Sequence, residues 1–323
     1  MSDFDEKFEV VELCSLNTEV TCNDGSLFNR SMFFHLHCVV QSRHDMYLIL
    51  LERRKGTVQA MFWCSDIGNG HYRSPKRGSF GGIEVLSPLS FEAREGFVDA
   101  IVDIVKGRGG RCLEIILPPL SYTPASTSLT VNVLLRSGFV LSGHELNYSM
   151  SIDPDVGFRS LVDAKNRNKM NKCMKSSFLC RTLSSLEELE EAYRVIEINR
   201  AKKNIPMTMP WAALLEMHES IPDSVCCFGC YSDGKMVASS ICVRISAEIL
   251  YVFYWGEIDG VESFSPVSYL AEHIYNFCVE NSYRNLDAGT ASIEGIPNVG
   301  LASYKKKLGF GESLKLTLLK TIC

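Results

Sequence analysis

Apolar and polar positions alternate in blocks along the first part of the chain, and the first clear block predicts a hairpin. Residues 46–51 are almost uniformly apolar, residues 53–56 form a polar turn with Gly56, and residues 58–63 are again mostly apolar. Two apolar runs around a short polar turn are typical of paired antiparallel strands. We therefore expect a β-hairpin here.

A helix and two further strands are predicted after this hairpin. Residues 90–106 place Phe97 and Ile101 on one helical face, and glycines follow at the end of the stretch. Residues 112–117 have the composition of a strand, a Ser/Thr-rich connection follows, and Gly138-Phe139 leads into a third strand that continues to residue 152. We expect the first lobe to end near this point.

The next segment is strongly basic. Residues 159–181 contain seven Lys or Arg residues and a single acid, Asp163. We interpret the segment as a basic helix that joins two lobes. Its positive face is compatible with RNA, with the headgroups of a membrane-bound substrate or with solvent alone.

The last third of the chain has well-defined helical and strand patterns. Residues 185–204 carry an apolar stripe with glutamates in the first turn, and Pro210 starts a shorter helix. Three strands in residues 225–255 form a predicted antiparallel meander, in which Asp233-Gly234 supplies one tight turn. Ser265-Pro266 is typical of a helix start, and residues 285–289 return as a strand.

The order of these elements is repeated. Each half has a hairpin or meander, then Ser-Pro, a helix, a strand, a connection, Gly-Phe and a final strand; the Gly-Phe pairs are Gly138-Phe139 and Gly309-Phe310. A plan that occurs twice predicts two similar lobes, residues 1–157 and 158–323, with a cleft between the copies.

Composition narrows the class of protein. The chain has 323 residues, 46% of them hydrophobic, and a net charge of -5, which argues against a surface wholly adapted to nucleic acid. An acidic N-terminus and the lack of a membrane-length apolar run lead us to expect a cytoplasmic protein. The thirteen cysteines, including Cys226, Cys227 and Cys230, are expected to be buried thiols, and neither they nor His35 and His37 match a metal site.

Candidate chemistry is concentrated in residues 286–310. A predicted strand there carries Asp287, a flexible connection follows, and Tyr304-Lys305-Lys306-Lys307 comes directly before Leu308-Gly309-Phe310. A carboxylate near a strand end is well placed to face a ligand. The alternative is that Asp287 caps a loop and that the lysines lie on a solvated helix face.

This segment resembles the end of the Fem-type branch of the GNAT acyltransferase superfamily, in which two GNAT lobes are joined in one chain. The similarity rests on strand, Asp-x-Gly, connection, Gly-Leu, aromatic-Lys and Leu-Gly-Phe, and on the basic segment at residues 167–172. It implies an α/β fold with mixed sheets: two tandem GNAT-like lobes, each a largely antiparallel mixed sheet flanked by helices.

The resemblance also implies an activity, acyl transfer to an amine of a sugar, amino acid or peptide in the cleft between the lobes. The donor would be acyl-CoA or, as in the peptidoglycan-building members, an aminoacyl-tRNA; no permanently bound cofactor is implied. Lys305 matches the lysine of the family's Phe-Lys pair, with Tyr304 in place of the phenylalanine. A cation at Lys305 would stabilise an oxyanion, and Asp287 would accept a proton from the amine.

Two departures from the family pattern bear on the donor. The chain has no room between residues 181 and 225 for the long helical-hairpin insertion of the tRNA-binding members, so tRNA is the less favoured partner. The loop before the Ser265 helix lacks the glycine-rich CoA pattern and instead carries Glu257, Asp259 and Glu262, which repel phosphate.

A second candidate anion site lies in the first lobe. Its basic and glycine residues lie in a loop that precedes a helix, and the backbone amides of such a loop are suited to binding phosphate. The alternative is that the loop is an ordinary basic surface. We expect substrate contacts from Arg73, Lys76, Arg77, Gly81, Gly82, Ser265 and Lys306. Besides the acyltransferase, two alternatives remain: a non-catalytic double-GNAT binding protein and an aminoacyl-tRNA-dependent transferase.

Overall fold

The computed structural model describes residues 3–13, 25–38, 44–221 and 223–322. The chain divides into two units by its internal contacts. Unit 1 comprises Met1–Glu145 and Ser313–Cys323, and unit 2 comprises Leu146–Glu312.

Unit 1 is a mixed sheet with helices. Its strands are β1 (Phe8–Glu12), β2 (Asp45–Glu52), β3 (Thr57–Asp66), β4 (His71–Ser74), β5 (Glu84–Val85), β6 (Cys112–Ile116), the first part of β7 (Val140–Ser151) and most of β15 (Gly311–Thr321). Its helices are α1 (Asp3–Lys7), α2 (Ser31–His37), α3 (Phe91–Gly107) and α4 (Pro124–Arg136), with a 3-10 turn at Leu27–Asn29. The strand order β1-β2-β3-β4-β6-β15 is antiparallel except for the parallel pair β4-β6.

Unit 2 has its own run of neighbouring strands. Its strands are the remainder of β7, β8 (Leu179–Leu183), β9 (Val225–Ser232), β10 (Lys235–Arg244), β11 (Ile249–Glu257) and β12 (Asn285–Thr290), with a small hairpin of β13 (Ser292–Ile293) and β14 (Ile296–Pro297). Its helices are α5 (Phe158–Leu161), α6 (Ala164–Lys175), α7 (Leu186–Lys202), α8 (Trp211–Ser220), α9 (Pro266–Glu280) and α10 (Val299–Lys307). The order β7-β12-β11-β10-β9-β8 is antiparallel except for β11-β12.

The two units share one plan, and the prediction of tandem mixed sheets is confirmed. In each unit a single parallel strand pair is connected by a helix, α3 between β4 and β6 and α9 between β11 and β12. Parallel neighbours require such a crossover because the chain must return to the same end of the sheet. A helix and a final strand follow in both cases.

Each unit has its own core. In unit 1 the face of α3 that includes Phe97 and Ile101 is packed in a cluster with β-strand residues such as Phe62. In unit 2 Leu270 and Ile274 of α9 are packed in a cluster with aliphatic and aromatic strand residues. The amphipathic stripes read from the sequence therefore mark the buried faces of both helices.

Strands β7 and β15 each contribute residues to both units, and the lobe boundary at 157/158 stays a prediction. From Leu146 on, β7 belongs to unit 2, where it pairs with β12, with Met150 opposite Leu286. The C-terminal strand β15 pairs with β6, with Leu318 opposite Ile115, and from Ser313 on it belongs to unit 1. Backbone hydrogen bonding, and not position in the chain, assigns these strands to their units.

The basic segment is not the single helix that we expected. Residues 159–181 contain α5, α6 and the start of β8. The break comes at Asp163, whose Oδ1 accepts a hydrogen bond from the amide of Asn166 at 2.8 Å and caps α6. Helix α6 buries Met170 and Cys173 while most of its lysines are exposed. The capping carboxylate starts a new helix and thus divides the basic run.

Three local predictions are also corrected. The Ser/Thr-rich connection contains helix α4, which begins with Pro124 at its first position. Pro210 precedes α8 and is not its first residue. Ser265 stands at the cap position of α9 with a φ of 54°, but its side chain caps no helix amide. Its hydroxyl lies 2.9 Å from Ser268 Oγ instead.

Candidate functional site

Asp287 and Lys305, which the sequence analysis selected together, meet at the end of β12. Asp287 Oδ1 accepts hydrogen bonds from Asn147 Nδ2 at 2.9 Å and from the amide of Gly289 at 2.6 Å. The Lys305 ammonium donates to the carbonyl oxygens of Gly289 and Thr290, both at 2.9 Å. The two side chains therefore bind neighbouring peptide groups of the same strand end.

An irregularity in β12 makes this arrangement possible. The register between β12 and β7 shifts between Asp287 and Thr290, and Gly289 has a φ of 75°. A side chain is strained at that φ, and a Cβ on Gly289 would also lie 3.2 Å from the Tyr251 ring. The irregular turn releases peptide groups from the strand ladder, and Asp287 and Lys305 satisfy them.

Both side chains are deeply buried. Asp287 is 1% exposed and Lys305 is 2% exposed. Burial lowers the pKa of Lys305 from 10.5 to about 8, and the charge of Asp287 acts in the opposite direction. The lysine ammonium also lies 5.8 Å from the centre of the Tyr148 ring. The predicted pair is thus brought together inside the protein, in a network of hydrogen bonds to other protein groups.

A cavity of about 390 Å³ lies elsewhere in unit 2. Among the described residues its lining includes Tyr304 and Ser265, but not Lys305 or Asp287. Polar and apolar side chains are mixed in this lining: Asn199, Lys203, Ile205, Trp255, Glu257, Ser265, Val267, Asn298, Leu301 and Tyr304, with Gly256 and Gly300. Mixed lining of this kind suits a small molecule with a few polar groups.

Tyr304 lines this cavity, and its hydroxyl belongs to a short chain of hydrogen-bonding groups. Its hydroxyl lies 3.0 Å from Ser268 Oγ, which in turn contacts Ser265. Burial raises the pKa of Tyr304 to about 12, and the hydrogen bond with Ser268 opposes this effect. The phenol therefore keeps its proton at neutral pH and can donate it.

Glu257 is the cavity residue whose role the sequence analysis missed. It ends β11, where Asn199 of α7 donates a hydrogen bond from Nδ2 to its backbone carbonyl at 2.6 Å. Its carboxylate accepts a hydrogen bond from the amide of Val267, in the first turn of α9, at 3.3 Å. Burial raises the pKa of Glu257, whereas this hydrogen bond and the nearby lysines lower it.

Sequence reasoning treated Glu257 only as a charge that repels phosphate. The sequence carries no signal for its position, because residues 249–255 are all apolar or aromatic; in the structure, buried and half-buried residues alternate along β11 up to Glu257. That alternation puts Glu257 on the same face as Trp255, which also lines the cavity.

The expected anion site of unit 1 has most of its groups paired within the protein. Arg73 forms an ion pair with Glu114 at 3.1 Å, and Lys76 forms one with Asp45 at 3.4 Å. The amide of Gly81 donates to Ile116 O, and that of Gly82 donates to Ser74 Oγ. Arg77 is exposed.

Lys306 also has a partner outside the cavity. It is exposed on α10 and pairs with Glu312 at 2.8 Å, and this contact raises the pKa of Lys306. The structure therefore places two of the predicted site residues together at the cavity: Ser265, expected to contact substrate, and Tyr304, expected to take part in catalysis.

The described residues contain neither a metal-binding cluster nor a helix suited to crossing a membrane. Within residues 3–13, 25–38, 44–221 and 223–322, no cluster of three or more His, Cys, Asp or Glu side chains has metal-binding geometry. In the same part of the chain no helix combines the length and the apolar character needed to cross a membrane.

Solved structures with the same fold were found by comparison. FemX aligns with a TM-score of 0.70 at 12% identity, over 93% of this chain and 93% of that chain. The tandem GNAT protein from the clavulanic acid biosynthesis pathway aligns with a TM-score of 0.52 at 11% identity, over 98% of this chain and 99% of that chain. L-PGS from Bacillus licheniformis aligns with a TM-score of 0.56 at 12% identity, over 82% and 81%.

These similarities define the class of fold. The chain has the double-GNAT fold shared by Fem-type and tandem GNAT proteins, which confirms the fold expected from the resemblance. No protein-family model matches the sequence. No curated protein sequence matches it either. Function must therefore be argued from the site itself.

Proposed function

We propose that this protein is an N-acyltransferase whose reaction takes place in the cavity of unit 2. The acceptor is an amine of a sugar, amino acid or peptide, and the donor is an activated acyl group, either a thioester such as acyl-CoA or an aminoacyl ester. The observation that carries the proposal is the presence of one proton donor, Tyr304, and one proton acceptor, Glu257, in the same cavity lining. General acid and general base groups each accelerate acyl transfer to an amine.

The two residues balance the protons of the reaction. The amine nitrogen attacks the acyl carbonyl carbon and forms a C–N bond, and the bond from that carbon to sulfur or oxygen breaks. Glu257 accepts the proton that the amine loses, and burial strengthens it as a base by raising its pKa. Tyr304, whose pKa of about 12 keeps the phenol protonated, donates a proton to the leaving sulfur or oxygen. Exchange with solvent then removes the proton from Glu257 and returns one to Tyr304 before the next turnover.

Lys305 and Asp287 have a positioning role in this proposal. Their hydrogen bonds hold the irregular end of β12, and Lys305 directly follows Tyr304 on α10. The role of Lys305 as an oxyanion stabiliser, which the resemblance implies, stays a prediction. It requires the ammonium to exchange a backbone carbonyl for the reacting oxygen.

The test is a product assay on purified protein. Candidate acyl-CoAs and aminoacyl esters are incubated with amines of the three acceptor types, and the amide product is detected by mass spectrometry. We expect Tyr304→Phe to lower the single-turnover rate about 100-fold, the typical effect of losing a general acid. Tyr231→Phe is the matched control, since Tyr231 of β9 bonds Arg181 and does not line the cavity.

A rate for Tyr304→Phe equal to that of the wild type would contradict the assigned role, provided that both proteins unfold at the same temperature. Amide formation that fails with every donor would instead favour a binding protein of the same fold. One observation supports that second function: Asp287 and Lys305 already bind protein groups and leave the cavity lining to other residues. An aminoacyl-tRNA donor is a further outcome of the donor panel.

A further inference from the structure

The first turn of α9 is where this fold would be expected to hold a phosphate. Helix N-termini attract anions because their first amide groups have no partner within the helix and the helix dipole is positive there. Helix α9 has 15 residues, and its N-terminal residues Ser265 and Val267 line the cavity. A diphosphate of CoA would need free amides at this point.

The amides at this terminus are already used by the protein. Pro266 has no N–H to offer, the amide of Val267 donates to Glu257 at 3.3 Å, and that of Ser268 donates to the Ser265 carbonyl at 2.9 Å. One step earlier, the Ser265 amide donates to the carbonyl of Val261 at 3.1 Å. The first turn therefore does not fit a diphosphate as it stands.

The charge of the preceding loop points in the same direction. Asp259 is paired with Lys202, and Glu262 accepts a hydrogen bond from the Gly260 amide at 3.1 Å. Together with Glu257 these are three acidic side chains within a few residues of the helix start. These negative charges oppose the binding of a phosphate, and the nearby Lys169, Lys202 and Lys203 offset part of the repulsion.

We propose that Glu257 determines donor specificity by occupying the anion site of α9 with its own carboxylate. The carboxylate takes the place of a phosphate at the helix terminus, and the Asn199 hydrogen bond to its backbone fixes the strand end that carries it. The donor accepted by unit 2 then has no diphosphate at this helix. Glu257 thus excludes CoA from the position that its diphosphate would take on α9.

The inference concerns the donor and so rests on the proposed acyl transfer, but its test requires no turnover. Binding of inorganic pyrophosphate and of CoA is measured by isothermal titration calorimetry on the full chain. We expect no saturable binding to the wild type. Glu257→Ala removes the charge and frees the Val267 amide, so it should show saturable pyrophosphate binding, with a Kd at least about tenfold below the highest pyrophosphate concentration at which the wild type shows none.

Two further variants separate occupancy from charge. Glu257→Gln removes the charge but keeps an oxygen for the Val267 amide, so its gain should be smaller than that of Glu257→Ala. Glu262→Gln removes one loop charge and leaves Glu257 in place, so it should behave like the wild type. Thermal unfolding of every variant checks that the fold is kept.

Any one of three results would overturn the inference: the wild type binds pyrophosphate saturably and in competition with CoA, Glu257→Ala shows no increase in pyrophosphate affinity, or Glu262→Gln shows the same increase in affinity as Glu257→Ala. The product assay is independent of these measurements. If no amide is formed with any donor but Glu257→Ala gains pyrophosphate binding, the proposed function fails and the inference about α9 stands. If the wild type forms amide from acyl-CoA and also binds pyrophosphate, the proposed function stands and the inference about α9 fails.

Discussion

Lys305→Met should reveal the buried charge through the pH dependence of stability. The lysine is 2% exposed, and burial lowers its pKa from 10.5 to about 8. This fall in pKa is equivalent to about 3 kcal/mol of preference for the neutral form. The folded protein therefore holds this proton less tightly than the unfolded chain does.

The sign of the effect follows from proton binding. Between pH 8 and pH 10.5 the lysine of the unfolded chain keeps its proton while that of the folded protein releases it. Stability rises with pH wherever the unfolded state binds more protons. The destabilising effect of the buried charge is complete below about pH 8 and disappears as the pH approaches 10.5. The variant, which has no ammonium, lacks this rise.

The assay is urea unfolding of the wild type and of Lys305→Met at several pH values from 7 to 10.5. We expect the unfolding free energy of the wild type, minus that of the variant, to increase by about 2–3 kcal/mol over this range. Lys307→Met is the matched control, because Lys307 is an exposed lysine on the same helix. A difference between wild type and Lys305→Met that stays constant with pH would refute the reasoning.

Four further substitutions test the local structure of the protein by urea unfolding. Asp287→Asn should lower the unfolding free energy by about 1–3 kcal/mol, because an amide accepts the two buried hydrogen bonds less well than a carboxylate does; an unchanged value would mean that the carboxylate is not needed there. Gly309→Ala should lower it by about 1–3 kcal/mol, since Gly309 has a φ of 92° and the new Cβ would lie 2.8 Å from Leu161 Cβ. Gly107→Ala, with open space around it, should be neutral or gain up to about 1 kcal/mol, and equal losses at both glycines would contradict the steric argument. Ser185→Ala should lose about 1 kcal/mol with its capping box, and no loss would show that the cap is not formed.

Local patterns predicted much of the fold. The hairpin of β2 and β3, the meander of β9 to β11, the start of α7 at Ser185 and the repeated order of elements are all found in the structure. These features depend on periodicity, turn residues and caps, which act between residues that are close in the chain. The tandem fold follows from the same repeat.

The site depended on contacts that no local pattern contains. Lys305, Lys306 and Lys307 are adjacent and chemically identical, yet Lys305 alone of the three is buried, because its position on α10 directs it to the irregular end of β12. The carboxylate of Glu257 accepts a hydrogen bond from the amide of Val267 in α9, a residue ten positions away that only folding brings next to it.

Sequence patterns were therefore enough to predict the tandem mixed-sheet fold, its helices and the segment that carries Asp287 and Lys305. Three features were visible only in the folded protein: Lys305 binds backbone carbonyls in the interior, Tyr304 and Glu257 line one cavity, and most of β15 belongs to unit 1. The physical reason is the range of the interactions. Helix and strand patterns arise from neighbours along the chain, whereas burial, pKa shifts and strand partnership depend on groups that only folding brings together.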